Sequence, residues 1–204
     1  MDAQQRPVVG DGSIPISPLH YRVEESSWKE MRHIFKKYHY KGDHLGGAVS
    51  LYLKLVCCGR VVGGAVLGRQ VWSGEKLVSR VGNSLVEIRR MALLEECPKN
   101  TESYFLGKIL WYLKKHTDVD DVISYSDLSV GHVGTIYKAA NFVKIGETPP
   151  TKHIYWRGKR YHPRSLTNKR PYALKLVEAI DSGEATVKLE KPKLIYRFTI
   201  KRRR

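Results

Sequence analysis

Residues 85–116 read LVEIRRMALLEECPKNTESYFLGKILWYLKKH, and two different periodicities follow one another within them. From Leu85 to about Leu94 the pattern alternates, with Val86, Ile88, Arg90 and Ala92 on one face and Arg89 on the other, as in a strand. Pro98 and Asn100 then punctuate the chain. From Thr101 to His116 the apolar residues Tyr104, Phe105, Leu106, Ile109, Leu110 and Leu113 form the broad stripe of a helix packed on a sheet. A strand, a loop and an amphipathic helix therefore sit mid-chain, and the flanking segments decide what surrounds them.

Upstream, Ser26 or Ser27 is placed to cap a helix reaching about Tyr38, with Trp28, Met31, Ile34 and Phe35 on one stripe. A glycine-rich link through Gly42, Gly46 and Gly47 follows. Two strand-like runs, 51–57 and 60–67, join around Gly59 as a hairpin. Downstream come a strand at 121–125, a glycine-bounded loop, a short helix at 135–141, and strands near 143–148 and 153–157. This order predicts an α/β (α+β) fold with a central mixed, mostly antiparallel sheet flanked by helices. In its topology it resembles the acyltransferase fold of the GNAT superfamily.

The 204 residues suffice for one compact domain with a small appendage, burying roughly 70% of the unfolded surface. Lys and Arg exceed Asp and Glu by 16, which excludes a neutral surface and favours a polyanionic partner. Of that excess, +11 lies from Arg157 onward, interleaved with Tyr161, His162, Tyr172, Tyr196 and Phe198. Such mixing suits phosphate neutralisation and base stacking, although a basic block also serves as a solvated tail. The expected division is an N-terminal lead at 1–20, a catalytic domain at 21–165, and a basic DNA-contacting extension of helix plus strand at 166–204. Three cysteines, Cys57, Cys58 and Cys97, give no disulfide framework and read as buried small hydrophobes in a reducing compartment. The polar first twenty residues do not read as a secretory signal. The apolar run 61–67 is too short to span a bilayer, so a soluble cytoplasmic protein with no membrane partner is expected.

Arg90 shares a strand face with apolar neighbours, where a guanidinium needs a buried counter-charge or an anionic ligand. At the helix start, Asn100, Thr101, Glu102 and Ser103 fit an anion on exposed N–H groups and fit ordinary capping equally well. Ser124-Tyr125-Ser126-Asp127 closes a strand where an open sheet places its site. Asp127 there is a base, an orienting group, a partner of Arg90, or a turn-former. In the run Gly131 to Phe142, Tyr137 and Asn141 are expected on one helical face, with Ile136, Ala139 and Ala140 against the sheet. Tyr137 is a proton donor, a base-stacking ring or a core-edge aromatic; His132 and Lys138 lie beside it. His39, between Tyr38 and Tyr40, has no second ligand at zinc spacing, so no metal is evident from the sequence.

Taken together, Tyr38-His39-Tyr40, Glu87-Ile88-Arg89-Arg90, the run Cys97 to Ser103, Ser124-Tyr125-Ser126-Asp127 and the run Gly131 to Phe142 resemble the phage Mom family of DNA-modification proteins, over about residues 30–165. The resemblance implies a GNAT-like transferase, phage-encoded and acting in a bacterial host. It would convert adenine N6 in double-stranded DNA to N6-carbamoylmethyladenine and so protect the genome from restriction. Carried over by motif, it implies His39, Tyr40, Arg90, Ser103, Asp127 and Tyr137 as site residues. Asn100, Thr101, Ser124, His132, Lys138 and Asn141 are expected around the substrate or donor. Lys36, Lys37, Lys159, Arg160, Arg164, Lys169, Arg170 and Arg202 are expected on the DNA backbone, with the target base flipped. The loop Glu96 to Thr101 lacks the glycines of a typical coenzyme A pyrophosphate loop, so the donor is left open, with acetyl-CoA or a related acyl-CoA compatible with the fold. The competing readings are an acetyltransferase acting on a protein or small amine, and a DNA-binding protein without catalysis.

Overall fold

The computed structural model describes residues 20–42, 49–68, 84–167 and 171–200. Gly46, Gly47, Lys169, Arg170, Arg202 and the lead before residue 20 lie outside these. Strand β1 (Tyr21–Glu25) precedes helix α1 (Trp28–Tyr38), the hairpin β2 (Val49–Cys57) and β3 (Arg60–Gly68), and the strand β4 (Leu85–Leu93). Helix α2 (Thr101–His116), strand β5 (Asp121–Asp127) and a one-turn helix over 128–130 lead to the short helix α3 (Thr135–Ala139). Strands β6 (Val143–Glu147), β7 (Thr151–Trp156) and β8 (Lys159–Tyr161) follow, then helix α4 (Pro171–Asp181) and strands β9 (Thr186–Glu190) and β10 (Lys193–Thr199).

The large sheet has the order β1-β2-β3-β4-β5-β10-β6. Strands β1 to β4 form an antiparallel meander. Helix α2 carries the chain back so that β5 runs parallel to β4. This mixed, mostly antiparallel sheet with its helices is the layout that the order of elements predicts. A smaller sheet has the order β8-β7-β9. Contacts group the chain into two compact units: the described parts of 1–125, 134–145 and 196–204, and the described parts of 126–133 and 146–195.

Local chemistry explains the first unit's helices. Ser27, rather than Ser26, caps α1: its hydroxyl accepts from the Glu30 N–H while the Glu30 carboxylate accepts from the Ser27 N–H, a reciprocal capping box. Met31, Ile34 and Phe35 are fully buried on β3, and that close approach needs Gly64, whose added Cβ would lie 2.8 Å from the Met31 sulfur. Helix α2 buries Phe105, Leu106, Ile109, Leu110 and Leu113, as its stripe predicts, while Tyr104 is half-buried against Tyr21 at 5.4 Å.

Tyr21–Glu25, to which the sequence assigned no element, is a strand paired along β2. Three local expectations are corrected. Helix α3 ends at Ala139, because Asn141 turns left-handed at φ 61, so Tyr137 and Asn141 do not share a helical face. No residue of α3 is fully buried: Ala139 is exposed, and Ile136, Tyr137 and Ala140 are half-buried. Of the cysteines only Cys57 is buried; Cys58 is exposed in the β2–β3 turn and Cys97 is half-buried.

In the second unit, Ile154, Leu176, Ala179 and Ala185 form a small core, with Trp156, Tyr161 and Ile180 around it. No helix among the described residues is long and apolar enough to cross a membrane.

Candidate active site at the fork of β4 and β5

Parallel pairing between β4 and β5 runs from Leu85↔Asp121 to Ile88↔Ser124 and stops there, although β4 stays paired to β3 as far as Leu93. The sheet therefore opens at Ile88 and Ser124. Beyond that point, no ladder to β5 among the described residues occupies the β4 edge carrying Arg89 and Arg90.

Two hydroxyls mark the fork. Ser124 Oγ is 3.0 Å from the Ile88 carbonyl and 2.8 Å from the Tyr137 oxygen. With one proton, the serine donates to one of these at a time, which leaves Tyr137 able to donate to Ser124 or to a ligand. Burial pushes the Tyr137 phenol up, opposed by its hydrogen bond with Ser124 and reinforced by Glu87 and Tyr196. A phenol held above its ordinary range stays protonated at neutral pH, so the Tyr137 hydroxyl keeps its proton and can donate a hydrogen bond. The ring is fixed by stacking on fully buried Tyr196 at 5.2 Å and by the edge of Phe142 at 5.6 Å.

Arg90 is half-buried on the same strand, two positions after Ile88. Its Nη1 donates to the Gly42 carbonyl at 3.0 Å, tying β4 to the turn after α1. That turn carries His39 and Tyr40, stacked at 4.9 Å, with Tyr40 45% exposed. His39 Nδ1 accepts from the Lys41 N–H at 3.1 Å, so its other ring nitrogen carries the proton in the neutral form. Arg90 and the His39-Tyr40 turn are thus brought together by a direct bond.

Asn100 takes the left-handed conformation at φ 70 and makes no side-chain cap. Thr101 donates instead to the Pro98 carbonyl at 2.7 Å, and Ser103 to the Asn100 carbonyl at 3.0 Å. Side-chain capping by Asn100 or Thr101, one of the two readings open from the sequence, is therefore not what the first turn of α2 shows. Ser103 also lines a cleft of about 940 Å³ with Gly107, Trp111, Lys114, Asn141 and Arg197.

In the second unit, Asp127 is 2% exposed; its carboxylate accepts from the Ser129 N–H at 3.0 Å and lies 3.7 Å from Lys193 Nζ. It thereby forms the turn after β5. His132 is exposed, its carbonyl accepting from Ser126 Oγ at 2.8 Å. Lys159 and Arg164 are exposed, whereas Arg160 is half-buried and donates to the Glu190 carboxylate. Lys36, Lys37 and Lys138, in the first unit, are exposed.

Sequence reasoning missed Tyr196, which seats Tyr137, and Gly42, which receives Arg90. Tyr196 stood out only as one aromatic of a basic tail, and its pairing with residue 137 spans 59 positions that no local pattern bridges.

Among solved structures, the chain resembles spermidine N-acetyltransferase from Vibrio cholerae, in complex with CoA and spermine, at TM-score 0.53 and 6% identity over 89% of this chain and 96% of that one. It likewise resembles an aminoglycoside acetyltransferase in complex with coenzyme A, at TM-score 0.54 and 10% identity over 88% and 94%. At such identities these likenesses establish the fold. By sequence, the chain is 29% identical over 164 residues to the methylcarbamoylase mom of Escherichia phage Mu, covering 76% of this chain and 63% of that protein. The chain thus spans less than two thirds of the curated relative's length. The model of the Mom protein family matches residues 20–203, a span that holds the fork, Arg90 with its turn, and both units, and on that match the chain belongs to the Mom protein family.

Proposed function

We propose that the chain is a phage transferase that modifies adenine N6 in double-stranded DNA, installing a carbamoylmethyl group and so guarding the genome from restriction. The family match over residues 20–203 carries this reading, and the phage Mu methylcarbamoylase supports it. The net charge of +16 supports a nucleic-acid partner. Exposed Lys36, Lys37, Lys159 and Arg164 are assigned to the phosphates, together with Lys169, Arg170 and Arg202.

Adenine N6 is paired inside a duplex, so the base must leave the stack to react. The exposed ring of Tyr40, stacked on His39, supplies a face for the extruded base. The Asp127 carboxylate, in the second unit, is assigned to the N6 proton on the strength of its motif alone. Protonated Tyr137 is assigned to the departing group, giving it a hydrogen bond or the proton. Arg90 is assigned to negative charge that develops during transfer.

The residues around the fork fit an acyl-CoA. Asn100 adopts the left-handed turn that a glycine would otherwise supply. Ser103, Lys114 and Asn141 line the adjoining cleft and would hold such a donor. When bound, an acyl-CoA would supply an activated thioester, whose attack by N6 with loss of the thiol yields an N6-acyl group. A carbamoylmethyl group needs N6 bonded to a methylene carbon instead, so its donor must carry the leaving group on that carbon together with the amide nitrogen. Ser124 and Ile88 would fix the Tyr137 hydroxyl beside the donor.

The test is nucleoside mass spectrometry on DNA from cells expressing the chain, with Arg90→Ala and Asp127→Ala controls. A deoxyadenosine heavier by an acetamido group, absent from both controls, is expected. An acetyl-sized increment would replace the carbamoylmethyl assignment with N6 acetylation. Unmodified DNA from soluble, folded protein would overturn the reading.

A further inference from the structure

We propose that His20, Cys57 and Cys58 form a binding site for a thiophilic d10 cation of the zinc type, at the point where β1 begins beside the β2–β3 turn. One ring nitrogen of His20 and the two sulfurs all lie within 4.8 Å of one another. The sheet register produces this meeting. Tyr21 pairs with Cys57, so His20, one position earlier, comes alongside the turn residue Cys58.

Adjacent cysteines in an extended strand point to opposite faces and cannot grip one ion. Here the alternation is broken where it matters. Cys58 has φ 50 and Gly59 φ 83, the signs of a tight two-residue hairpin turn, and the turn brings the Cys58 sulfur round to that of Cys57.

The imidazole adds an independent sign. His20 Nδ1 is buried and has no hydrogen-bond partner among the described residues. A buried ring nitrogen in that state has lost its hydration without replacement, and coordination is one of the few ways to restore it.

The donor set selects the ion. Two thiolates and an imidazole suit Zn²⁺ and reject Mg²⁺ or Ca²⁺, which take oxygen ligands. Zinc–sulfur bonds of about 2.3 Å in a tetrahedron put the sulfurs roughly 3.8 Å apart, so the group need contract by no more than about 1 Å. Three protein ligands leave a fourth position, and exposed Cys58 opens it to water. Cys97, also in the first unit, is a built-in control. Burial pushes its thiol up, and its sulfur points to the Val62 carbonyl at 3.6 Å, so it stays a thiol outside the group. Because β1 is an edge strand of the large sheet, an ion here would clasp the residue that precedes it to the hairpin.

The test uses the full chain, reduced and stripped of metal, titrated with Co²⁺. One equivalent is expected to produce an intense near-ultraviolet thiolate-to-cobalt band that Zn²⁺ abolishes by displacement. Cys58→Ser, at an exposed turn position, and His20→Gln should each weaken Co²⁺ binding at least tenfold with unchanged far-ultraviolet circular dichroism. Cys97→Ser should bind as the parent does. Absence of the band, its persistence undiminished in Cys58→Ser, or its loss in Cys97→Ser would each overturn the assignment.

Discussion

Replacing Gly134 with alanine tests how Tyr137 is held. Gly134 stands at the N-terminus of α3 with φ 78, and its carbonyl accepts from the Tyr137 and Lys138 N–H groups. A Cβ there would lie 2.3 Å from both the Cζ and the hydroxyl oxygen of Tyr196, a side chain with no exposed surface. Two costs follow. The left-handed backbone costs an L residue about 1–2 kcal/mol, and forcing a methyl into a packed site costs about 1–3 kcal/mol. The sum is roughly 2–5 kcal/mol, and for a chain of this size each kcal/mol lowers Tm by about 2–4 °C. A fall of roughly 6–12 °C is therefore expected for a central value of about 3 kcal/mol. Gly131→Ala separates the two costs, because Gly131 has the same φ of 78 but no atom within 4 Å of its Cβ position. Urea midpoints and thermal melts of both variants, read by circular dichroism with unchanged m, give the comparison. Gly134→Ala should be less stable than Gly131→Ala by more than about 1 kcal/mol. Equal losses would refute the packing argument and detach Tyr137 from its seat on Tyr196.

Three further outcomes are expected. Tyr137→Phe keeps the ring stack but removes the proton, so product formation in the nucleoside assay should fall by about 10²-fold or more with Tm nearly unchanged; activity within threefold of the parent would remove Tyr137 from the chemistry. Asp121, 1% exposed, accepts two hydrogen bonds from the Arg197 guanidinium at 2.8 and 2.7 Å and one from Thr199, so Asp121→Ala should cost about 3 kcal/mol, read as a lowered urea midpoint. His153 and His162 are both held below the ordinary histidine range, chiefly by burial, with Arg160 adding to the effect. Both therefore resist protonation in the folded state despite the Glu190 carboxylate beside His153, so their contribution is present above about pH 6.5 and is lost as pH falls below it. Urea midpoints at pH 7.5 and 5.5 should show that loss, and His153→Gln should flatten part of the slope; an unchanged slope would show that His153 titrates normally.

Most of the large sheet was legible because its signals are local. The hairpin around Gly59, the strand from Leu85 and the stripe of α2 each declare themselves within about ten residues. Tyr21–Glu25 was not legible: its sequence YRVEE has a single apolar alternation, and it becomes a strand only because β2 offers it a partner. Helix α3 was placed correctly but read two residues too long, since Asn141 ends it by turning left-handed, a habit of asparagine that composition alone does not announce. The candidate site residues were chosen from the motifs, whereas the contacts that hold them were not legible there. Arg90 meets a backbone carbonyl 48 positions away, and Ser124 meets one 36 positions away, and a carbonyl carries no mark in the sequence.

The position of β10 governs when the large sheet can close during synthesis. Residues 193–199 lie between β5 and β6 in the sheet although they follow both in the chain. Until they leave the ribosome, β5 and β6 have no partner on the sides they later share with β10. A nascent chain that already carries β1 to β9 thus displays two unpaired strand edges, templates for pairing with another chain. Closure requires contacts such as Asp121 with Arg197, 76 positions apart, which makes the final docking of this strand a slow, non-local step. Chains halted before residue 193 are expected to be captured by chaperones or to aggregate, while the completed chain seals both edges with one seven-residue strand.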